Sequence, residues 1–397
     1  MSSNKSILIV GGTGVISFAV VNEALKQGYS VTCINRGRSK TQVLDDSVEV
    51  IISDYKDEDT IKQALEGRFF DAVIDVLCYT KEDISYSTRL FGCHCKQYMF
   101  FSSAEAYNKP LYENQVYNEN VEMINPFWDY SINKAQCEEE LKRVAKNYNF
   151  QYTIIRPAIT YGNTRIPYGF MPSYGYHGTI IQRIINHKPL ILFNGGNNIA
   201  TILRVEDFAI GLVGLIGNEK AYNQDFHISG DEYVSWKTVL DVLGTVLGVE
   251  PLYIDIDSKF IGSEMPSLSQ QIVGGRSYSQ RLDNSKLKGA VPSFKTNVSL
   301  HEGIKKTVDY YSNHQYLNGI DYSFDADMDR IITKWCRQRN ISIGGMNLSF
   351  VDYLGNATAN DKRNYRFNFY KDFVLIKYTF KGVNFARRVL SRIKRSF

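Results

Sequence analysis

The sequence has few of the features that mark disordered, fibrous or membrane-spanning proteins. Its 397 residues include only 9 prolines and 6 cysteines, and its 29 glycines show no period. No window approaches the ~20 uninterrupted apolar residues that a bilayer-spanning helix needs. With 44% hydrophobic and 22% charged residues, the chain can bury a sizeable core. We therefore expect a soluble globular protein, and the length favours two lobes in one chain.

The cysteines do not predict a disulfide framework or a metal site. Their only cluster, Cys93-His94-Cys95, has no second Cys or His pair at a spacing that would complete a tetrahedral zinc site. The N-terminus lacks the layout of a cleavable signal peptide. We expect a cytoplasmic protein with reduced cysteines and no metal.

Positive charge is concentrated at the C-terminus. Residues 373–397 contain seven lysines and arginines and no acidic residue, although the whole chain has a net charge of only +4. If 384–397 forms a helix, its apolar residues lie on one side and its cations on the other. This pattern suits peripheral contact with the inner membrane surface. The alternative is that the apolar side packs on the enzyme or on a second subunit.

The first 160 residues alternate short β-branched runs with helix-patterned segments. Strands are predicted at 6–10, 30–35, 48–52, 71–77, 97–102 and 151–156. Regular alternation predicts an α/β fold with a Rossmann-type, doubly wound parallel sheet over residues 1–160, to which later segments return. A less regular mixture over 161–317 indicates a smaller α/β substrate lobe. Residues 318–397, which are aromatic and basic, form a predicted C-terminal extension.

A glycine-rich turn follows the first predicted strand. Residues 7–17 read Ile-Leu-Ile-Val-Gly-Gly-Thr-Gly-Val-Ile-Ser, which is a strand, a tight turn and a helix start. Glycine at a helix N-terminus lets backbone N–H groups approach a pyrophosphate, so this pattern predicts a dinucleotide site. The expected contacts are Gly11, Thr13, Gly14, Val15 and Ile16, together with Leu77 after the fourth strand.

The end of the second strand bears on the choice of dinucleotide. Folds that bind NAD usually place an acidic residue there to accept from the ribose 2′-hydroxyl. This chain has Asn35 followed by Arg36 and Arg38, and these cations would attract a 2′-phosphate. We therefore expect NADP, with NAD as the alternative. A solvated basic loop is the other interpretation of the arginines. Asp54, after the third strand, is a candidate acceptor for the adenine amino group.

A tyrosine and a lysine stand four residues apart at the start of a predicted helix. Tyr130 and Lys134 therefore share one helix face. An ammonium beside a phenol favours the phenolate, which can take a proton from an alcohol while hydride leaves the same carbon. Ser103 follows the predicted fifth strand, at the same crevice, where its hydroxyl can hydrogen-bond the reacting oxygen.

These motifs, with residues 156–162 (Arg-Pro-Ala-Ile-Thr-Tyr-Gly), resemble the extended short-chain dehydrogenase/reductase superfamily in its NAD(P)-dependent epimerase/dehydratase branch. The resemblance implies a catalytic triad of Ser103, Tyr130 and Lys134, with Lys134 also holding the nicotinamide ribose. Members usually oxidise a hydroxyl of a sugar nucleotide to a ketone. Hydride then returns to the other face, or water is lost first.

The resemblance also implies substrate contacts. Sugar-nucleotide dehydratases similarly carry a glutamate two residues after the catalytic serine, where it abstracts a proton from C5 of the sugar, and Glu105 occupies that position. An ordinary polar loop residue is the alternative for Glu105. Tyr107 ends the same segment and is a further candidate. The pyrophosphate-binding arginine of the family falls near Ala200 here, so Arg165 or Arg204 would supply that charge.

The predicted function is therefore an NAD(P)-dependent epimerase or dehydratase of a nucleotide sugar, working in polysaccharide biosynthesis. One alternative is an NADP-dependent sugar-nucleotide ketoreductase, favoured by Arg36 and Arg38. Another, of a different class, is a non-catalytic NADP-sensing or RNA-binding protein, against which the intact Ser103, Tyr130 and Lys134 argue. A homodimer is a further hypothesis, and we do not expect a nucleic-acid partner.

Overall fold

The computed structural model describes residues 5–39, 42–109, 115–172, 176–314 and 319–372. The predicted amphipathic helix over 384–397, with its hypothetical membrane contact, lies outside these ranges. Within them, no helix combines the length and hydropathy that a bilayer crossing needs.

The described residues form fourteen strands and thirteen α-helices. The strands are β1 (Ser6–Val10), β2 (Ser30–Asn35), β3 (Glu49–Ile52), β4 (Phe70–Asp75), β5 (Cys95–Phe101), β6 (Val116–Tyr117), β7 (Gln151–Pro157), β8 (Ile159–Tyr161), β9 (Leu190–Phe193), β10 (Ile199–Arg204), β11 (Gln224–Ile228), β12 (Tyr233–Ser235), β13 (Tyr253–Ile256) and β14 (Arg281–Leu282). The helices are α1 (Val15–Lys26), α2 (Glu58–Leu65), α3 (Lys81–Phe91), α4 (Asp129–Val144), α5 (Gly178–Ile185), α6 (Val205–Val213), α7 (Trp236–Leu247), α8 (Ser258–Glu264), α9 (Pro266–Gln271), α10 (Ser285–Ala290), α11 (Leu300–Asn313), α12 (Tyr322–Arg339) and α13 (Ala359–Phe369).

Seven parallel strands form the central sheet, in the order β3-β2-β1-β4-β5-β7-β11. Helices α1 and α6 pack on one face and α2, α3 and α4 on the other, so strand β1 is buried on both sides and reads as an uninterrupted apolar run. This arrangement confirms the predicted Rossmann-type, doubly wound sheet. The strand order reverses between β1 and β4, which opens a crevice at the carboxyl ends of the strands.

A second core forms around β9, which pairs with β13. Helices α5, α7, α11 and α12 surround this pair. Phe324, Met328 and Ile332 of α12 are buried in the same core because they recur at helical spacing on one face. The C-terminal extension expected from residue 318 is thus, over α12, an integral part of the second lobe.

Four buried charges fasten α12 to this lobe. Arg183 and Lys188 lie against Asp325 and Asp329, and all four side chains are 0% exposed. The Lys188 Nζ lies 2.7 Å from Asp325 Oδ2 and 2.6 Å from Asp329 Oδ2, and the Arg183 Nη2 lies 2.9 Å from Asp329 Oδ1. Two cations balance two anions, which offsets part of the cost of removing the charges from water.

Replacing Lys188 with methionine should lower the free energy of unfolding by about 3–5 kcal/mol, because two buried carboxylates would share one cation. Urea denaturation measures the change. The matched control is Lys305→Met, whose exposed partner Asp309 is 2.7 Å away, and it should cost at most about 0.5 kcal/mol. Equal losses in the two variants would contradict a stabilising role for the buried cluster.

Candidate active site

A cavity of about 380 Å³ lies at the carboxyl ends of β1, β4, β5 and β7, beneath the second lobe. Its walls include the start of α1, the loops after β4 and β5, the first turns of α4, and residues from the second lobe. This is the switch point at which open α/β sheets bind ligands.

The glycine turn forms one wall of the cavity. Gly11 adopts a φ of +93°, and a Cβ there would lie 2.9 Å from Val76 Cγ2. A Cβ at Gly12 would lie 2.5 Å from Cys33 Sγ, so the turn and β2 approach too closely for a larger residue. Ser17 holds the turn together, since its hydroxyl donates to Gly11 O at 2.6 Å and accepts from Gly14 N at 3.0 Å.

The predicted dinucleotide contacts occupy positions that fit such a group. Gly14, Val15 and Ile16 line the cavity, and the half-buried Thr13 belongs to the same turn. Leu77 packs against the turn, 3.1 Å from where a Gly11 Cβ would lie. The backbone N–H groups at the start of α1 therefore face a space that a pyrophosphate could enter.

The end of β2 offers an unsatisfied donor. Asn35 is buried, and its Nδ2 has no hydrogen-bond partner among the described residues. A ribose hydroxyl or a 2′-phosphate would satisfy it, so the geometry fits a nicotinamide dinucleotide without separating NAD from NADP. Arg36 and Arg38 are exposed just beyond β2. Asp54 is exposed after β3, where its Oδ1 accepts from Lys56 N at 2.9 Å.

The predicted catalytic residues meet at the cavity. Ser103 follows β5, Tyr130 lies in the first turn of α4, and Lys134 lies one turn further on. Burial raises the pKa of Tyr130 to about 12, although a hydrogen bond with Ser103 acts in the opposite direction. The Lys134 Nζ lies 5.9 Å from the Tyr130 ring centroid and donates to Cys78 O and Phe101 O, both at 2.7 Å. Burial also lowers the pKa of the Lys134 ammonium.

Glu105 lines the cavity, but its carboxylate is occupied. Lys109 donates to Oε2 and Arg276 donates to Oε1, and all three side chains are buried. Burial raises the pKa of Glu105, but the two cations outweigh it and the net shift is downward. Glu105 is therefore held as an ion-paired carboxylate, which is a weak base.

Two of the expected substrate contacts lie away from the cavity. The Tyr107 hydroxyl accepts from Arg156 Nη1 at 2.7 Å and lies 2.5 Å from His227 Nε2, in the interior. Arg204 donates to Gly303 O and Glu206, at 2.7 Å each, and is 1% exposed. Both assignments are corrected, because their polar groups bind other residues of the chain. Arg165, in contrast, lines the cavity.

Sequence reasoning missed the contribution of the second lobe. Gln271, Arg276 and Gln280 line the cavity, and Arg276 ends the π-helical turn Ile272–Arg276. Such turns often occur at functional sites. No local pattern identifies Arg276, since its partner Glu105 lies 171 residues away. Within the described ranges, no group of three or more His, Cys, Asp or Glu side chains could hold a metal ion.

Two proteins of known name are similar in sequence to this chain. A putative UDP-glucose 4-epimerase from Methanocaldococcus jannaschii is 24% identical over 78% of this chain and 99% of its own length. The chloroplast stem-loop binding protein of 41 kDa b from Arabidopsis thaliana is 29% identical over 59% of this chain. That match spans 61% of the Arabidopsis protein, so the chain covers less than two thirds of this relative.

A solved structure shares the fold. UDP-glucuronic acid 4-epimerase from Bacillus cereus, in complex with UDP-glucuronic acid and NAD, is similar with a TM-score of 0.62 and 18% identity, over 78% of this chain and 99% of that chain. Residues 7–229, which include the glycine turn, Ser103, Tyr130 and Lys134, match the family described as NAD dependent epimerase/dehydratase. Since this match covers more than half of the sequence, the chain belongs to the NAD-dependent epimerase/dehydratase family.

Proposed function

We propose that this protein is an NAD(P)-dependent epimerase that inverts a hydroxyl-bearing carbon of a nucleotide sugar. The observation that carries the proposal is the convergence of Ser103 and Tyr130 on one cavity with the glycine turn, next to the buried Lys134 ammonium. Relatives named for UDP-glucose and UDP-glucuronic acid favour a sugar-nucleotide substrate.

Each catalytic side chain has a distinct role. Tyr130 takes the proton from the substrate hydroxyl, and Ser103 holds the reacting oxygen by a hydrogen bond. Because burial raises the pKa of Tyr130 to about 12, the phenol needs positive charge nearby to act as a base at neutral pH. The Arg276 guanidinium lowers this pKa, and we assign the Lys134 ammonium, one helical turn away, to the same task. A nicotinamide coenzyme at the glycine turn would supply the hydride acceptor and donor.

The cavity also carries charge suited to a diphosphate. Arg165 and Arg276 both line it, and the Arg276 Nε is buried without a partner among the described residues. Arginine binds phosphate oxygens through several N–H groups in a planar fork. Arg165 and Arg276 are therefore the side chains we assign to the sugar-nucleotide pyrophosphate, in place of Arg204.

The environment of Glu105 favours epimerisation over dehydration. A dehydratase base must present a free carboxylate to the C5 proton, whereas both oxygens of Glu105 accept from cations of this chain. The lowered pKa of Glu105 further weakens it as a base. Glu105 is therefore assigned to holding Arg276 in place.

Turnover of a UDP-sugar in deuterium oxide should give an epimer of unchanged mass with no solvent deuterium at C5, because the Glu105 carboxylate is paired with Lys109 and Arg276. Proton NMR and mass spectrometry of the product measure this. The variant Glu105→Gln should lose stability without changing the type of product. A wild-type enzyme that removes water from the substrate and incorporates solvent deuterium at C5 would instead be a dehydratase, provided that Glu105→Gln abolishes both effects.

Replacing Tyr130 with phenylalanine should lower kcat by about 10²–10⁴-fold, because the substrate proton loses its acceptor. Fluorescence titration with NADH and NADPH should show nearly unchanged coenzyme binding. The matched control is Tyr79→Phe, at a tyrosine that also lines the cavity, and it should retain most activity. Wild-type turnover in Tyr130→Phe would contradict the role of Tyr130 as the base. Absence of turnover in the wild-type protein would favour a non-catalytic protein, and RNA binding would then be measured.

A second candidate is an NADP-dependent sugar-nucleotide ketoreductase. The observation that favours it is Asn35 in place of an acidic residue, with exposed Arg36 and Arg38 beside it. Such an enzyme would consume NADPH stoichiometrically, whereas an epimerase would return its hydride in each cycle.

The double variant Arg36→Ser/Arg38→Ser should weaken NADPH binding at least about tenfold, the loss typical of a hydrogen bond to a charged group, and leave NADH binding unchanged. Isothermal titration calorimetry with both coenzymes measures the ratio. The control Arg337→Ser removes an exposed arginine of α12 and should change neither affinity. Equal effects on NADPH and NADH would contradict the assignment of these arginines to a 2′-phosphate.

A further inference from the structure

A buried carboxylate stands at the end of β4, behind the cavity wall. Asp75 is 0% exposed and accepts four hydrogen bonds. Its Oδ1 accepts from Leu77 N at 2.7 Å, and its Oδ2 accepts from Tyr98 OH at 3.0 Å, Cys78 Sγ at 3.2 Å and Ser87 Oγ. Among the described residues, no Lys, Arg or His nitrogen lies within 4.0 Å of this carboxylate. A buried anion with only neutral donors is costly to keep.

The Lys134 ammonium presents the opposite case. It is 2% exposed, and its Nζ donates to two main-chain carbonyls, Cys78 O and Phe101 O. In the described part of the chain, no carboxylate oxygen lies within 4.0 Å of it either. Each of these buried charges therefore lacks a direct ionic partner, and each contacts the same short loop after β4.

That loop connects the two charges through Cys78. The Cys78 thiol donates to the Asp75 carboxylate, while the carbonyl of the same residue accepts from Lys134. The preceding N–H, of Leu77, is also fixed by Asp75. The carboxylate and the ammonium therefore bind the same residue, Cys78, one at its thiol and the other at its carbonyl. Val76 and Tyr79, on either side of this pair, line the cavity.

We propose that Asp75 is a positioning residue for the reaction: its hydrogen bonds to Leu77 N and Cys78 Sγ fix the loop whose Cys78 carbonyl holds Lys134, and its negative charge stabilises this ammonium. The inference rests on the proposed function only for the role of Lys134. It extends the catalytic centre to a residue that touches neither the cavity nor Tyr130.

The charges around Lys134 agree with this assignment. Burial lowers the pKa of Lys134, and the nearby groups that raise it are Cys137 of α4, Cys78, Asp75 and Asp83 of α3. The rings of Tyr79, Phe100 and Tyr130 also face the Nζ, at 4.7, 5.0 and 5.9 Å. Asp75 is the carboxylate whose hydrogen bonds fix a ligand of the ammonium, whereas Asp83 caps α3.

The test is Asp75→Asn, which keeps the shape of the side chain and removes its charge. Without that charge, the pKa of Lys134 should fall further below its usual value. Heteronuclear NMR of isotopically labelled lysine in the coenzyme-free protein, assigned with Lys134→Arg, measures the shift. The alkaline limb of kcat/KM should move to lower pH by a similar amount, since Lys134 would lose its proton earlier.

Ser87→Ala is the matched control, because it removes one hydrogen bond to Asp75 and leaves the carboxylate in place. It should leave the Lys134 titration unchanged. A destabilised Asp75→Asn protein with an unaltered Lys134 titration would overturn the proposal, since that is the result of a purely structural role. The NMR titration needs no substrate, so its outcome stands even if the epimerase assignment fails.

If Asp75→Asn does not fold, the wild-type protein provides the second measurement. The carboxyl ¹³C resonance of Asp75 should shift as Lys134 loses its proton, because the two side chains bind the same residue, Cys78. A resonance that does not respond to the titration of Lys134 would overturn the proposal.

Discussion

The bonds from the Lys134 ammonium to Cys78 O and Phe101 O determine how the site is assembled. One carbonyl follows β4 and the other ends β5, so a single side chain of α4 joins two neighbouring strand ends. Because the helix is fixed at this point, Tyr130, one turn earlier, must face the crevice opened by the reversal of strand order. The carboxyl edge of the sheet offers such bonds because strand ends leave carbonyls unpaired there, and a buried cation needs acceptors of this kind.

Local sequence patterns predicted the Rossmann domain closely. The bounds of β1 and β2 match the predicted runs, because strands buried on both faces are continuous and apolar, and the glycine turn marks where β1 ends. The packing of α12 into the second lobe was not predicted. Helix α12 is attached through Arg183 and Asp325, which are 142 residues apart in the sequence. Without knowledge of such a distant partner, charged residues in a helix predict a face exposed to solvent.

Motif position identified Tyr107 and Arg204 but not the direction of their side chains. Arg156 is buried with Glu138 and Asp225, and the Tyr107 hydroxyl completes its hydrogen bonds. Arg204 likewise joins β10 to α11 through Gly303 O. The polar groups of both side chains therefore form hydrogen bonds inside the protein and do not line the cavity. A sequence pattern conveys which chemical groups are present, whereas their orientation depends on which buried groups still lack partners.

Hydrogen bonds from the second lobe also hold the loop that follows Ser103. Arg276 binds Glu105, Gln280 Nε2 donates to Ala104 O at 2.6 Å, and Asn125 Nδ2 bridges Glu105 O and Gly274 O. These bonds clamp the residues immediately after Ser103 between the two lobes. The position of the Ser103 hydroxyl relative to Tyr130 is therefore coupled to the π-helical turn that presents Arg276 to the cavity. Under the proposed function, an anion bound to Arg276 would also act on its partner Glu105, so the charge of the substrate and the position of the Ser103 hydroxyl would be linked through this ion pair.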